Sequence, residues 1–153
     1  MALAIVYAAL YAVLVVVLGP FSYGPVQVRV ADAMVALVPV FGWGAILGHT
    51  VGVFIANIFS TAGLIDLLNT VPSFAMAVVI WKLRNKSVIV GTVLYSAVLA
   101  GTVGVMLSYL YDLPLLETYI YLFIGILIAA TVIGYPLYKA IKKIGVFQHW
   151  TDA

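Results

Sequence analysis

Residues 81–87 read Trp81-Lys82-Leu83-Arg84-Asn85-Lys86-Ser87, and residues 138–143 read Tyr138-Lys139-Ala140-Ile141-Lys142-Lys143. Together these two stretches hold six of the seven basic residues, and the sequence on either side of them is mostly apolar. Each follows a hydrophobic run and carries an aromatic residue at its edge, the pattern of cytoplasmic ends of transmembrane segments. The seventh cation, Arg29, falls on the opposite side with four of the five acids: Asp32, Asp66, Asp112 and Glu117. This segregation of charge sets how the chain lies in a bilayer.

Composition supports the same reading. A chain of 153 residues that is 66% hydrophobic and 8% charged, with a mean hydropathy of +1.24, cannot cover itself with charge in water. The length suits a single transmembrane domain, residues 1–153, with no soluble catalytic domain attached. The formal charge of +2 reflects topology signals and gives no basic, aromatic-interleaved surface for nucleic acid. There is no cysteine, so disulfide and thiol chemistry are excluded. The first twenty residues lack a charged leading region and read as a retained helix.

Hydrophobic runs fall at about residues 2–18, 32–42, 45–60, 67–81, 88–110 and 118–140, against roughly 20 residues needed to cross a bilayer core. The second is short and ends at the turn Phe41-Gly42-Trp43-Gly44. The expected fold is an all-α integral membrane protein of six transmembrane helices. An even number of crossings puts both basic clusters and both termini on the cytoplasmic side of the cell membrane.

Three loops then face outward, at about residues 19–31, 61–66 and 111–117. Polar groups collect in or beside them: Ser22, Gln27, Arg29, Asp32, Asn57, Asp66, Asn69, Asp112 and Glu117. Polar groups at a membrane edge are costly and point to a solute site. Along Val26-Gln27-Val28-Arg29-Val30 an extended backbone turns Gln27 and Arg29 the same way. The plainer alternative pairs Arg29 with Asp32 and makes Asp32 the cap of the second helix. Asp66 and Asn69, three apart, share one helical face and either cap the helix or read a ligand edge. Outer tyrosines such as Tyr23 and Tyr111 belong to an interfacial belt, with one or two able to stack on a planar ligand.

Small residues form a second pattern. Gly44, Gly48, Gly52 and Ala56 recur every four positions, as do Ala4, Ala8 and Ala12. Such stripes let another backbone approach closely. One is expected to pack internally and the other to face a partner subunit. Chemistry, by contrast, is thin. His49 and His149 have no metal-chelating spacing, and His49 reads as a buried structural residue away from the polar loops. No phosphate-cradling glycine loop is present, no nucleophile–base set is visible, and no cofactor is called for.

The stretch Gly19-Pro20-Phe21-Ser22-Tyr23-Gly24-Pro25-Val26-Gln27-Val28-Arg29-Val30-Ala31-Asp32-Ala33 resembles the signature after the first helix of the QueT family. Residues 48–57, Gly-His-Thr-Val-Gly-Val-Phe-Ile-Ala-Asn, followed by Gly63-Leu64-Ile65-Asp66, resemble that family's third helix and next loop. Ala31-Asp32 stands where the family pattern has Ser-Glu. The resemblance implies a substrate-binding S component of an energy-coupling factor (ECF) importer: a six-helix bundle with an outward pocket and no ATPase of its own. It further implies a transmembrane coupling subunit and two cytoplasmic ATPases as partners, with the Ala4, Ala8 and Ala12 stripe as docking face. The implied ligand is a 7-deazaguanine: preQ1, preQ0 or queuine. On that reading Asp32 or Asp66 takes the donor edge of the base. Gln27, Arg29 and Asn57 serve its acceptors, and Phe21 or Tyr23 lies against the ring. Other vitamin-like solutes for the same fold, and a homo-oligomeric channel or structural subunit, are the competing classes. A channel requires polarity continued through the membrane, whereas the sequence concentrates it at one end.

Overall fold

The structure, a computed structural model, describes residues 1–23 and 29–144. Gln27 and His149 lie outside the described residues. Helix α1 spans Ala2–Val17, and α2 is a single turn, Gly19–Ser22, opened by Pro20. A 3-10 helix, Val30–Leu37, runs directly into α3, Val38–Ile58. A second 3-10 helix, Gly63–Asn69, leads into α4, Thr70–Lys82. Then come α5, Val88–Tyr111, and α6, Leu115–Leu127. A π-helical stretch, Ile128–Ile133, passes without a break into α7, Gly134–Ile144. No strand occurs among the described residues.

Local chemistry explains the boundaries. The Ser87 hydroxyl accepts from the Val90 amide at 3.3 Å and opens α5. Asp112 ends α5 in the left-handed region, at φ 54°, and Pro114 precedes α6. Four helical segments are long and apolar enough to cross a membrane: Val30–Ile58, Gly63–Lys82, Val88–Tyr111 and Leu115–Ile144. Ala2–Val17 is apolar but shorter. The chain is a multi-pass membrane protein. Its outside is as apolar as its core: Ile5, Val6, Val13, Val17, Val105 and Val132 are exposed while Tyr11, Val15, Ile46 and Leu122 are buried. Only a lipid solvent makes such a surface favourable.

Val30–Ile58 is not one straight rod. The Tyr7 hydroxyl donates to the Met34 carbonyl and the Tyr11 hydroxyl to Asp32, so α1 and residues 30–37 run in opposite directions. Gly44 faces Leu3, Gly48 faces Ala4 and Tyr7, and Gly52 faces Ala8 and Tyr11, so α1 and the rest of α3 run in the same direction. The reversal lies at Gly42, whose φ of 58° and ψ of −140° are open essentially only to glycine. That is the position of the expected turn. Gly42→Ala is expected to cost about 1–3 kcal/mol through backbone strain. A lowered melting temperature in detergent is the measurement that checks it.

Later neighbours alternate in direction too. Trp43 meets Trp81 while Asn57 meets Asp66; Gly91 meets Ile80 while Met106 meets Asn69. Thr92 pairs with Thr131 while Gly104 lies over Tyr119. As a result Arg84, Lys86, Tyr135 and Tyr138 line one pocket at one end, and Arg29 and Asp66 sit together at the other.

The small-residue stripes meet each other. A Cβ on Gly48 would stand 2.8 Å from the Ala4 carbonyl oxygen, and one on Gly52 would stand 3.1 Å from that of Ala8. Ala8 and Ala12 are therefore buried against α3, and Ala4 is half-buried. The expectation that one stripe faces outward is corrected for Ala8 and Ala12, because each stripe is the close neighbour that the other requires. Gly134 serves the same purpose, letting α7 come against Ala33 and Ala36.

Candidate functional site

Arg29 leads into the 3-10 helix Val30–Leu37 and is 5% exposed. Its guanidinium joins three segments. Nε donates to the Ser22 carbonyl at 3.4 Å, Nη1 to Asn57 Oδ1 at 3.2 Å, and Nη2 to Asp66 Oδ2 at 3.3 Å. Asn57, fully buried near the end of α3, donates in turn to the Asp66 carbonyl at 3.0 Å. Asn69 donates to Asp66 Oδ1 at 2.6 Å. A 3-10 helix stacks residues three apart, which is why Asp66 and Asn69 meet. Both oxygens of Asp66 are thereby engaged from within the chain. Each member of this network is buried and satisfies another.

Asp32 lies one turn deeper and is 3% exposed. The alternative Arg29–Asp32 pair does not form: the direct ion pair of Arg29 is with Asp66. Nor does Asp32 cap a helix, since it sits inside the 3-10 turn and makes no side-chain cap bond there. The Tyr11 and Tyr95 hydroxyls donate to its Oδ1 at 2.6 and 3.1 Å. Neither hydroxyl reaches Oδ2. Behind Tyr95, its hydroxyl is 3.3 Å from His49 Nε2, and the His49 ring meets Tyr7, Tyr11 and Tyr95 edge-on. His49 is buried as expected, but it is coupled to the polar cluster through Tyr95, a link the sequence reading lacks.

Tyr11, Arg29, Asp32, Ser73 and Tyr95 enclose a cavity of about 10 Å³, completed by Leu99, Val103 and Ile126. That is room for one water molecule at most.

The site residues read from the sequence divide as follows. Arg29, Asn57, Asp66 and Asn69 form one side-chain hydrogen-bonded network, Ser22 enters it through its backbone carbonyl, and Asp32 lines the same cavity as Arg29. The Tyr23 hydroxyl donates to the Ala56 carbonyl at 2.7 Å, and the Arg29 Cζ lies 5.8 Å from its ring centroid. The Phe21 side chain is exposed and apart from the cluster. Tyr7, Tyr11, Ser73 and Tyr95 escaped the sequence reading. One signal was available: Tyr7 and Tyr11 lie one helical turn apart inside an apolar span, where each hydroxyl must find a partner.

Among the described residues no group of acids and histidines is arranged to hold a metal ion. Comparison with curated proteins and with solved structures finds no match. The QueT transporter model matches residues 1–143, which takes in every helix described above except the final residue of α7, and the chain belongs to that family of membrane transporters.

Proposed function

We propose that the chain is the solute-capturing S component of an ECF importer, and that its solute is a 7-deazaguanine such as preQ1, preQ0 or queuine. The observation that carries the reading is the cavity between Asp32 and the Arg29–Asn57–Asp66 network, at the end of the bundle opposite the basic clusters. With those clusters cytoplasmic, the chain makes six crossings with both termini inside, and the cavity opens outward. The guest replaces contacts that Arg29 and Asn57 make with Asp66.

A guanine-like edge offers adjacent N–H donors that one carboxylate accepts together. Asp32 suits this task better than Asp66, because both Asp66 oxygens already accept from Arg29 and Asn69. Tyr11 and Tyr95 hold Asp32 by Oδ1 and orient the carboxylate. Arg29 and Asn57, with Gln27 from outside the described residues, serve the acceptor side, and Tyr23 lies beside the ring. The coupling subunit and two cytoplasmic ATPases supply the energy. The loaded component tips in the membrane to deliver its solute, and ATP hydrolysis resets it. With Ala8 and Ala12 covered by α3, docking on α1 falls to its exposed flank, which includes Ile5, Val6 and Val13.

Asp32→Asn keeps the shape but turns half of the acceptor edge into a donor. It is expected to weaken deazaguanine binding by about 1–3 kcal/mol, or roughly 5- to 150-fold. Native mass spectrometry of the protein in mild detergent, titrated with preQ1, preQ0 and queuine, reads both the ligand and the loss. No binding of any of the three by the wild-type protein, together with a discrete oligomer, would favour the channel class instead.

A further inference from the structure

At the basic end of the bundle the connection between α4 and α5 closes over a second pocket, of about 200 Å³, lined by Arg84, Lys86, Ser87, Val88, Ile89, Tyr135 and Tyr138. The positive-inside rule explains why cations lie on this side but does not require a cavity between them. Arg84 is already oriented. Its guanidinium lies 4.2 Å from the Trp81 ring centroid, and Nη1 donates to the Trp81 carbonyl at 3.2 Å, using one of five N–H donors. Lys142 Nζ donates to the Tyr138 hydroxyl at 3.1 Å, and Lys139 Nζ lies 4.9 Å from the Tyr135 ring centroid. Two further cations thus stand behind the tyrosine wall.

The first turn of α5 forms the pocket's apolar side through Val88 and Ile89, and no acid stands in that turn. The Val90 amide is taken by the Ser87 hydroxyl, and the helix dipole adds positive potential at this end. The four described acids, Asp32, Asp66, Asp112 and Glu117, all lie toward the other end, so among the described residues nothing acidic neutralises this cluster. The site therefore combines cations from two separate parts of the chain, donors along one rim, and an apolar wall beside the membrane-facing Ile89.

We propose that this pocket binds the phosphate headgroup of an anionic phospholipid, with the glycerol and first acyl carbons along Val88 and Ile89. The shared chemistry is a phosphate oxyanion facing Arg84 and Lys86. A lipid source is favoured because the pocket sits in the aromatic belt of Trp81, Tyr135 and Tyr138 and has an apolar side that a free anion does not use. Bound there, the lipid ties the α4–α5 connection to α7 at the end where the bundle meets the cytoplasmic leaflet. The inference is independent of the solute captured at the opposite end.

The test is native mass spectrometry of the protein released from micelles doped equally with phosphatidylglycerol and phosphatidylcholine. Wild type is expected to retain phosphatidylglycerol preferentially. Arg84→Gln with Lys86→Gln is expected to retain it about 10- to 30-fold less. Lys143→Gln, which removes a nearby charge that does not line the pocket, is expected to match wild type. If the double variant does not survive extraction, Lys86→Gln alone carries the comparison, because its exposed side chain supports no packing. Equal retention by variant and wild type overturns the proposal, as does an equal loss in Lys143→Gln, which would indicate diffuse surface charge. Displacement of the lipid by millimolar inorganic phosphate overturns the headgroup assignment and gives the pocket to a free anion.

Discussion

Arg29→Ala is expected to destabilise the folded protein by about 3–5 kcal/mol, the cost of leaving a buried carboxylate without its cation. The magnitude follows from burial. The Arg29 and Asp66 side chains are 7% and 2% exposed, and their 3.3 Å contact lies where neither charge meets water. An exposed pair of the same geometry contributes about 0–1 kcal/mol. The loss exceeds one ion pair because Arg29 also satisfies Asn57 Oδ1 and the Ser22 carbonyl. Thermal unfolding in detergent is the measurement, and a melting temperature within a degree of wild type would remove Arg29 from the network. Replacing both partners with apolar residues, Arg29→Met with Asp66→Leu, is expected to restore part of the stability, because the Asp66 charge leaves with its cation. Buried Asp32 still loses the cation across the cavity, and Asn57 Oδ1, the Ser22 carbonyl and Asn69 lose their partners. The same double variant separates stability from function. It is expected to fold yet bind no deazaguanine, because Arg29 is one of the proposed ligand contacts. If it binds with wild-type affinity, the pocket assignment fails while the structural role of the ion pair stands.

Gly48→Val combined with Gly52→Val is expected to be the next most damaging change. A Cβ at either position falls 2.7–2.8 Å from the Cβ of Tyr7 or Tyr11, and the Ala4 and Ala8 carbonyls lie close behind. The obstructing atoms belong to the backbone or sit next to it, so no side-chain rotation relieves the overlap. Each substitution carries about 1–3 kcal/mol of overpacking, and the pair about 2–6 kcal/mol. The consequence reaches the polar cluster. Pushing α1 away from α3 moves the Tyr11 hydroxyl off Asp32 Oδ1, now at 2.6 Å, and opens the cavity beside it. Lower melting temperature and weaker ligand binding should therefore appear together. A stability loss with binding unchanged would mean that Tyr11 does not orient Asp32.

The polar residues of this cluster were legible because each is an anomaly in an apolar chain. Ser22, Arg29, Asn57, Asp66 and Asn69 meet in one network, although they come from four separate segments. The partner of Arg29 was not legible. Asp32 is three residues away and Asp66 thirty-seven, so reasoning along the chain favours the neighbour. The fold turns Asp32 inward, toward Tyr11 and Tyr95, and brings Asp66 over the top. The depth of the polar cluster was likewise hidden. Tyr95 and His49 extend it from Asp32 into the bundle, farther than the outer loops suggested.

The sequence by itself determined the lipid solvent, the apolar runs and their separators, the glycine turn at Gly42, and the segregation of basic clusters from four of the acids. These properties are local or compositional, and each rests on residues adjacent in the chain. Only the tertiary structure decided which faces meet: the alanine stripe on the glycine stripe, Arg29 on Asp66, two tyrosines on Asp32. The physical reason is that a membrane helix is apolar on every side. In water, an amphipathic stripe announces how a helix is rotated; in lipid that contrast is lost. Rotation and register are then set by close packing at Gly48, Gly52 and Gly134, and by buried polar groups that must find one another.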